Sequence, residues 1–240
     1  MTTQTTALVT GGNKGIGYET CRRLLGEGWQ VWLGSRDEAR GQAAVDALGA
    51  ERLPGAVRLL SLDVTDDASV QTAAKTVDAE GGLDVLVNNA GIVGTTSPPD
   101  ETSADDLLQV YGVNVVGPVR MIHAFLEILR RSTHPRIVNV SSGVGSFAWT
   151  SDPGRLESTL RGLAYPSAKA ALNMLTAMYA KSLPGIQVNA VDPGYTSTDL
   201  NGRRGTQPVE VGAEPVVRAA MTGRDGPTGA FLGLDGFVPW

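Results

Sequence analysis

The sequence predicts an α/β protein built as a single doubly wound Rossmann-type domain, with a mostly parallel seven-stranded sheet and helices on both faces. Short apolar segments alternate along the chain with longer segments of helical periodicity, as in βαβ units. The length of 240 residues suits one such domain. A glycine-rich turn follows the first apolar segment, as is typical of sheets that bind nucleotides.

The predicted strands and helices alternate in chain order. We expect strands at about 7–9, 31–33, 57–62, 85–87, 136–140, 188–191 and 229–233. We expect helices at about 16–27, 37–48, 66–80, 103–116, 118–131, 165–182 and 209–221. The third helix has Thr65 or Asp66 as its candidate N-cap. Right-handed crossovers between parallel strands then place the helices on both faces of the sheet.

The composition argues against several classes of function. The net charge of −5 disfavours nucleic-acid binding, which needs a basic face. No apolar run reaches 18 residues and no signal peptide is visible, so we expect no membrane partner and a cytoplasmic location. Cys21 is the only cysteine and there are two histidines, so we expect neither a disulfide nor a metal site.

The turn after the first strand contains the candidate phosphate-binding glycines. In Thr10-Gly-Gly-Asn-Lys-Gly-Ile-Gly17, Gly11 permits the tight turn and Gly15 lets a pyrophosphate approach the backbone. Gly17 allows the helix to pack closely on the strand. The following helix offers free N–H groups at its N-terminus. An ordinary tight turn is the alternative interpretation of these glycines.

The end of the second strand indicates the choice of cofactor. Ser35 and Arg36 stand where an acidic residue would bind the ribose 2′-hydroxyl, and an arginine there suits a 2′-phosphate. Lys14, one of four lysines in the chain, adds a second cation at this site. The pattern favours NADP(H), although Arg36 alone could be a solvated surface charge. Asp37 is the complication, because it could turn inward and partly neutralise Arg36.

A tyrosine and a lysine lie one helical turn apart in the predicted helix at 165–182. Tyr165 and Lys169 therefore share a face of that helix. A nearby cation favours the phenolate and brings a phenol pKa of about 10 toward neutral pH. Tyr165 could then donate a proton to a carbonyl oxygen while hydride arrives at the carbon. The alternative interpretation is an ordinary pair on the helix surface.

From end to end, the chain resembles the short-chain dehydrogenase/reductase family. The resemblance rests on motifs in family order: Thr10–Gly17, Asp63-Val64, Asn88-Asn-Ala-Gly91, Asn114-Val-Val-Gly117, Ile137-Val-Asn-Val-Ser-Ser142, Tyr165-x-x-x-Lys169 and Pro193-Gly194. The sequence is also similar to the monomeric carbonyl-reductase branch, which reduces aldehydes, ketones and quinones with NADPH. That closer likeness rests on Gly12–Gly17, on Ser35-Arg-Asp37 and on the tail from Phe231 to Trp240.

The resemblance implies four catalytic residues. Tyr165 is the expected general acid, and Lys169 is expected to bind the nicotinamide ribose and lower the Tyr165 pKa. Ser142 is expected to hydrogen-bond the substrate oxygen, although sequence alone does not separate it from Ser141. Asn114 is expected to hold a water behind Lys169.

The resemblance also implies a set of cofactor-binding residues along the whole domain, residues 1–240. Asp63 and Val64 are expected at the adenine, and Asn89 and Gly91 at the adenosine ribose. The segment from Pro193 to Thr198 is expected to close over the nicotinamide, with Thr196 or Thr198 at the carboxamide or a phosphate. The full expected set is Gly11, Asn13, Lys14, Gly15, Ile16, Gly17, Ser35, Arg36, Asp63, Val64, Asn89, Ala90, Gly91, Tyr165, Lys169, Pro193, Gly194, Thr196 and Thr198.

Two segments depart from the family pattern. A short insertion at about 147–162 separates Ser142 from Tyr165 and is expected to form a wall of the substrate pocket. Longer insertions in carbonyl reductases cover the surface that relatives use for dimerisation, so a monomer is favoured over a homodimer. The loop at about 199–209, rich in glycine and arginine, is expected to be mobile.

The function that the sequence favours is NADPH-dependent reduction of a small-molecule carbonyl to an alcohol. A secondary-alcohol dehydrogenase working mainly with NAD(P) in the oxidative direction is one alternative, and Arg36 counts against NAD. A redox sensor that binds NADP(H) without turnover is the other. The presence of Asn114, Ser142, Tyr165 and Lys169 together argues against a sensor.

Overall fold

The computed structural model describes residues 4–240. Residues 1–3, the start of the segment searched for a signal peptide, lie outside the described part. The strands are β1 Thr6–Thr10, β2 Gln30–Ser35, β3 Ala56–Ser61, β4 Val85–Asn88, β5 Arg136–Val140, β6 Gln187–Val191, β7 Phe231–Gly233 and β8 Gly236–Phe237. They form one sheet in the order β3-β2-β1-β4-β5-β6-β7-β8. Strands β1 to β7 pair in parallel, which confirms the predicted Rossmann-type fold.

Among residues 4–240, eight α-helices connect the strands or follow them. They are α1 Gly15–Gly26, α2 Glu38–Ala50, α3 Asp67–Ala79, α4 Ala104–Tyr111, α5 Gly117–Arg130, α6 Phe147–Thr150, α7 Ala164–Ser182 and α8 Val209–Ala220. Asp66 is the N-cap of α3, where its carboxylate accepts a hydrogen bond from the Ala68 N–H at 3.0 Å. The predicted alternative, Thr65, is instead hydrogen-bonded to Asp63.

The sheet is buried between two layers of helices. Helices α3, α5 and α7 pack on one face through residues such as Val77, Phe125 and Tyr179. Helices α1, α2 and α8 cover the other face, with Leu24, Leu48 and Val216 in its core. Successive residues of the central strands point into alternate cores, so these strands read as continuous apolar runs. The carboxyl ends of the parallel strands therefore meet at one edge, between the two layers.

The prediction of seven strands is one short, because the chain turns back after β7. A two-residue turn at Leu234-Asp235 leads into the short antiparallel strand β8. Gly236 lies at φ +119°, a conformation that side chains rarely adopt. A two-residue strand carries too little periodicity to be predicted from sequence.

The two helices predicted at 103–116 and 118–131 are one continuous helix. A π-helical turn at Gly112–Val116 joins α4 to α5. Pro118 directly follows the π-helical turn, in the first turn of α5, and the helix continues through it. By length and composition alone this 27-residue segment could cross a membrane, since an 18-residue stretch of it has a mean hydropathy of 1.3. Its α5 part packs in the core through Met121, Ile122 and Phe125.

Candidate active site

A cleft of about 1230 Å³ runs along the carboxyl ends of the strands. It is lined by Ser142 and by every residue of the expected cofactor-binding set, from the glycine turn to Thr198. Of the expected catalytic residues, Asn114 alone is not on the cleft wall. Leu160, Arg161 and Gly162, at the end of the insertion, also line the cleft. That the insertion forms a wall of the substrate pocket stays a prediction.

The glycine turn has the backbone shape that a phosphate cradle requires. Gly11 and Gly15 lie at φ +63° and +55°, in the left-handed region that favours glycine. A Cβ atom on Gly17 would lie 2.5 Å from the Gly11 carbonyl oxygen, so no larger residue fits between α1 and the turn. The N-terminus of α1 follows at Gly15. These features suit a pyrophosphate group.

A second set of contacts holds this turn against β4. The Asn89 side-chain amide donates to the carbonyl oxygens of Thr10 and Gly11, at 2.8 and 3.2 Å. The buried Thr10 hydroxyl accepts the N–H groups of Asn89 and Ala90. The N–H groups of the Asn89 amide are thus used to shape the turn. Sequence reasoning missed Thr10, although a polar residue that ends a buried strand beside a glycine turn is a usable signal.

The cations at the end of β2 are arranged as a 2′-phosphate site would need. Asp37 caps α2 by accepting the Arg40 N–H at 3.0 Å, and it also pairs with the Arg40 guanidinium at 3.3 Å. Arg36 takes part in no ion pair among residues 4–240. Asp37 therefore neutralises Arg40 and leaves Arg36 available. Arg40, which sequence reasoning missed, also lines the cleft.

Asp63 lies close to this group of charges. Burial alone would raise the pKa of its carboxyl group, but hydrogen bonds from Thr65 and the nearby charge of Arg36 hold that pKa below its usual value. The carboxylate accepts both the Thr65 N–H and its hydroxyl, at 2.8 and 2.7 Å. Asp63 is therefore ionised at neutral pH and fixed in orientation, at the end of the cleft where the adenosine is expected.

The loop after β6 closes over the middle of the cleft. Lys14 Nζ lies 3.4 Å from the Asp199 carboxylate, which joins this loop to the glycine turn. The Thr196 hydroxyl is occupied within the loop, since it donates to the Pro193 carbonyl and accepts from the Gln207 amide. The Thr198 methyl group lies against Gly15. Of the two threonines, Thr198 is thus the one beside the phosphate cradle; the predicted mobility of the loop stays a prediction.

Tyr165 and Ser142 face each other at the inner end of the cleft. Burial and, to a smaller extent, the charge of Asp192 raise the pKa of Tyr165 to about 12, against the lowering effect of the Ser142 hydroxyl. The Ser141 hydroxyl instead donates to the Asn173 side chain at 2.5 Å, away from Tyr165. The structure thus separates the two serines, and Ser142 has the hydroxyl that faces Tyr165.

Lys169 lies one turn along α7 and is only 4% exposed. Its Nζ donates to the Val140 carbonyl oxygen at 2.8 Å and lies 5.4 Å from the centre of the Tyr165 ring. Burial lowers the pKa of Lys169 to about 8. Burial governs the pKa of both groups in this structure. The Tyr165 pKa is raised and not lowered, so the expected lowering by Lys169 is not seen here.

Asn114 lies in the π-helical turn and is 1% exposed. Its amide makes two hydrogen bonds with one residue, accepting the Ile92 N–H at 2.9 Å and donating to the Ile92 carbonyl at 2.8 Å. The side chain therefore joins the long helix to the segment that follows β4. Its expected role of holding a water stays a prediction, and π-turns occur often at functional sites.

Comparison with known proteins gives the family directly. The sequence model for short chain dehydrogenases matches residues 5–208. The chain is 36% identical to a (+)-neomenthol dehydrogenase of Arabidopsis thaliana, over 94% of this chain and 95% of the relative. It is 32% identical to a salutaridine reductase of Papaver bracteatum, over 94% of this chain and 93% of that enzyme. The chain belongs to the short-chain dehydrogenase/reductase family.

Solved structures agree with this assignment. The structure of an NADPH-bound carbonyl reductase from chicken fatty liver superposes with a TM-score of 0.84 at 28% identity, covering 99% of both chains. The alignment with the neomenthol dehydrogenase spans 280 positions, so that enzyme contains inserted segments that this chain lacks. Membership of the family makes the chain an oxidoreductase of carbonyl or alcohol substrates that uses a nicotinamide cofactor.

Proposed function

We propose that this chain is an NADPH-dependent reductase that converts a ketone, aldehyde or quinone to an alcohol. One observation carries the proposal: the Ser142 and Tyr165 hydroxyls face each other in the cleft, one helical turn from the buried Lys169. A carbonyl oxygen that reaches both hydroxyls receives two hydrogen bonds. These bonds strengthen as negative charge develops on that oxygen.

The nicotinamide cofactor supplies the hydride in this reaction. Tyr165 donates the proton that the carbonyl oxygen needs, and the pKa of about 12 keeps its phenol protonated at neutral pH. Ser142 holds the same oxygen in place and stabilises its developing charge. Lys169 lies behind Tyr165, where an ammonium group favours the phenolate that remains after proton transfer.

The preference for NADP(H) over NAD(H) is proposed from the charges at the end of β2. Arg36 offers a planar guanidinium to a 2′-phosphate, since Asp37 pairs with Arg40 instead. The left-handed glycines at 11 and 15 leave room for the pyrophosphate, because no Cβ atom fills the cradle. The chicken reductase, whose structure was solved with NADPH, provides additional support.

A substrate and cofactor survey tests the proposal. The oxidation of NADPH and NADH is followed at 340 nm with menadione, isatin and aliphatic ketones, using the full-length protein. We expect turnover with at least one of these carbonyls, and faster turnover with NADPH than with NADH. Tight NADPH binding without turnover on any carbonyl would instead favour a redox sensor.

Two further properties, the cytoplasmic location and the oligomeric state, stay predictions. We propose a monomer rather than a homodimer, because longer insertions at the position of residues 147–162 cover the dimerisation surface in carbonyl reductases. Light scattering coupled to size-exclusion chromatography distinguishes the two oligomeric states.

A further inference from the structure

Asp192 is a buried carboxylate at the active site that the expected site residues do not include. It directly follows β6 and is 8% exposed. A single oxygen, Oδ1, accepts two backbone N–H groups: that of Gly143 at 2.9 Å and that of Gly194 at 3.1 Å. Gly143 and Gly194 are 51 residues apart in the sequence, so the carboxylate joins two separate loops.

The two loops serve different parts of the proposed reaction. Gly143 follows Ser142, the proposed hydrogen-bond donor to the substrate oxygen. Gly194 lies in the Pro193–Gly194 segment, which lines the cleft and is expected at the nicotinamide. Because both N–H groups donate to the same oxygen atom, the loop at Gly143 and the loop at Gly194 are both fixed relative to Asp192.

The other side of Gly143 is closed by the insertion. A Cβ atom on Gly143 would lie 2.8 Å from both the Glu157 carboxylate and the Trp149 ring. Arg155 stacks on Trp149, with 3.5 Å between the guanidinium carbon and the ring centre, and pairs with Glu157 at 3.2 Å. The turn at Ser142-Gly143 is thus held by Asp192 on one side and by the insertion on the other.

We infer that Asp192 is a positioning residue for the proposed hydride transfer, which sets the Ser142 turn at a fixed distance from the Pro193–Gly194 loop. This inference rests on the proposed function. Hydride and proton transfer both require their partners within a narrow range of distances, so a shift of one loop relative to the other lowers turnover. Asp192 touches neither reacting group in this account; it acts through the two loops.

The charges around Asp192 provide a readout that a purely structural carboxylate would not give. Burial raises the pKa of Asp192, while the N–H groups of Gly194 and Gly143 lower it. The charged neighbours of Asp192 are Glu157 and Arg155, both in the insertion. The Asp192 charge also raises the pKa of Tyr165 on α7, and Lys169 lies beside that tyrosine. Removal of the Asp192 charge should therefore make the Tyr165 phenolate form at lower pH.

The test compares Asp192→Ala and Asp192→Asn with Asp84→Ala in the full-length protein. Asp84 is a matched control at the opposite edge of the sheet, where its carboxylate accepts the Thr6 N–H at 2.8 Å. Two binding and folding quantities are measured: amide hydrogen exchange at Gly143 and Gly194 in the cofactor-free protein, and the Kd for NADPH. Two kinetic quantities are also measured: kcat for carbonyl reduction, and the pH dependence of alcohol oxidation with NADP⁺.

We expect Asp192→Ala to speed exchange at both glycines and to lower kcat by about 10- to 100-fold. Asparagine keeps an acceptor oxygen, so Asp192→Asn should restore most of the kcat. In that variant the rise of alcohol oxidation with pH should move to lower pH, because oxidation needs the Tyr165 phenolate as base. Asp84→Ala should change none of these quantities, although it should lower the unfolding temperature.

Unchanged exchange and unchanged kcat in Asp192→Ala would overturn the inference while leaving the proposed function intact. If that variant does not fold, an unshifted pH profile in Asp192→Asn would overturn it equally. A wild-type protein without turnover on any carbonyl would overturn the proposed function and this inference together. The exchange rates at the two glycines then still report whether the carboxylate joins the loops.

Discussion

The two ends of the cleft differ in the burial of their polar and charged side chains. At the inner end, Lys169 and Asn114 are almost fully buried, and each is held by hydrogen bonds to backbone atoms. At the end where the adenosine is expected, Lys14 and Arg40 are largely exposed, and their ion pairs lie near the surface. One end relies on fixed positions, and the other relies on charge.

This difference predicts different responses to substitution. Buried polar groups interact strongly because water does not compete, so the loss of one should change the rate by orders of magnitude. Exposed charges are screened by water and salt, so the loss of one should change cofactor affinity by a modest factor.

The largest effect is expected from Lys169→Met. The variant loses the ammonium group behind Tyr165, so kcat for carbonyl reduction should fall by about 10²- to 10⁴-fold. The measurement is steady-state turnover with NADPH and the best carbonyl of the survey. Lys181→Met, an exposed substitution at the last turn of the same helix, should leave kcat unchanged. Equal losses of kcat in the two variants would contradict the claim that the buried end of the cleft depends on Lys169.

The same variant should show a pH-dependent gain in stability. The pKa of Lys169 falls from 10.5 to about 8 on folding, so between these pH values the unfolded chain binds more protons and wild-type stability rises with pH. Below pH 8 the wild type bears the full cost of the buried charge, about 3 kcal/mol. The stability of Lys169→Met relative to wild type should therefore decline by about 3 kcal/mol between pH 8 and 10.5.

Urea unfolding of the cofactor-free proteins at several pH values measures this difference. Lys181→Met should differ from wild type by the same amount at every pH. A pH-independent difference for Lys169→Met would mean that the Lys169 ammonium is well solvated, and the buried end would then resemble the exposed end.

A smaller effect is expected from Arg36→Ser. The loss of one charged hydrogen-bonding group should weaken NADPH binding by about 10- to 100-fold while leaving NADH binding nearly unchanged. The ratio of the NADPH Kd of Arg36→Ser to that of the wild type should shrink as salt is raised, since the site is exposed. Titration by tryptophan fluorescence gives both Kd values. Arg130→Ser, which removes an arginine paired with Glu127 on α5, is the control and should change neither.

The smallest effect is expected from Lys14→Ala. Lys14 and Asp199 are each about half exposed in their ion pair, so unfolding free energy should change by less than about 1 kcal/mol. NADPH affinity should fall by about threefold, which corresponds to a loss of binding free energy that is also below about 1 kcal/mol. Thermal unfolding and the NADPH titration measure the two quantities. A loss as large as that of Arg36→Ser would show that Lys14 binds the cofactor directly.

Much of this site could be predicted from sequence, because glycines and catalytic groups occur in short local patterns. Gly11, Gly15 and Gly17 were predicted from their spacing, and the structure gives each the conformation or the close packing that needs glycine. Tyr165 and Lys169 were predicted as a pair because four residues separate neighbours on one helix face.

The parts that sequence analysis missed depend on contacts between distant segments. Thr10, Arg40 and Asp192 act through neighbours that only the folded sheet brings together. The π-helical turn at Gly112–Val116 has no periodicity of its own within a long apolar helix. Whether Asp37 neutralises Arg36 was likewise open until the capping hydrogen bond of α2 and the ion pair between Asp37 and Arg40 were known.

The most direct test of the central claim is the behaviour of Tyr165→Phe. The claim is that Tyr165 supplies the proton while the rest of the cleft binds the cofactor. The account predicts that this variant binds NADPH with the wild-type Kd and loses carbonyl reduction by at least about 10²-fold. A variant that keeps wild-type turnover would contradict the account, because the proton would then have to come from another group.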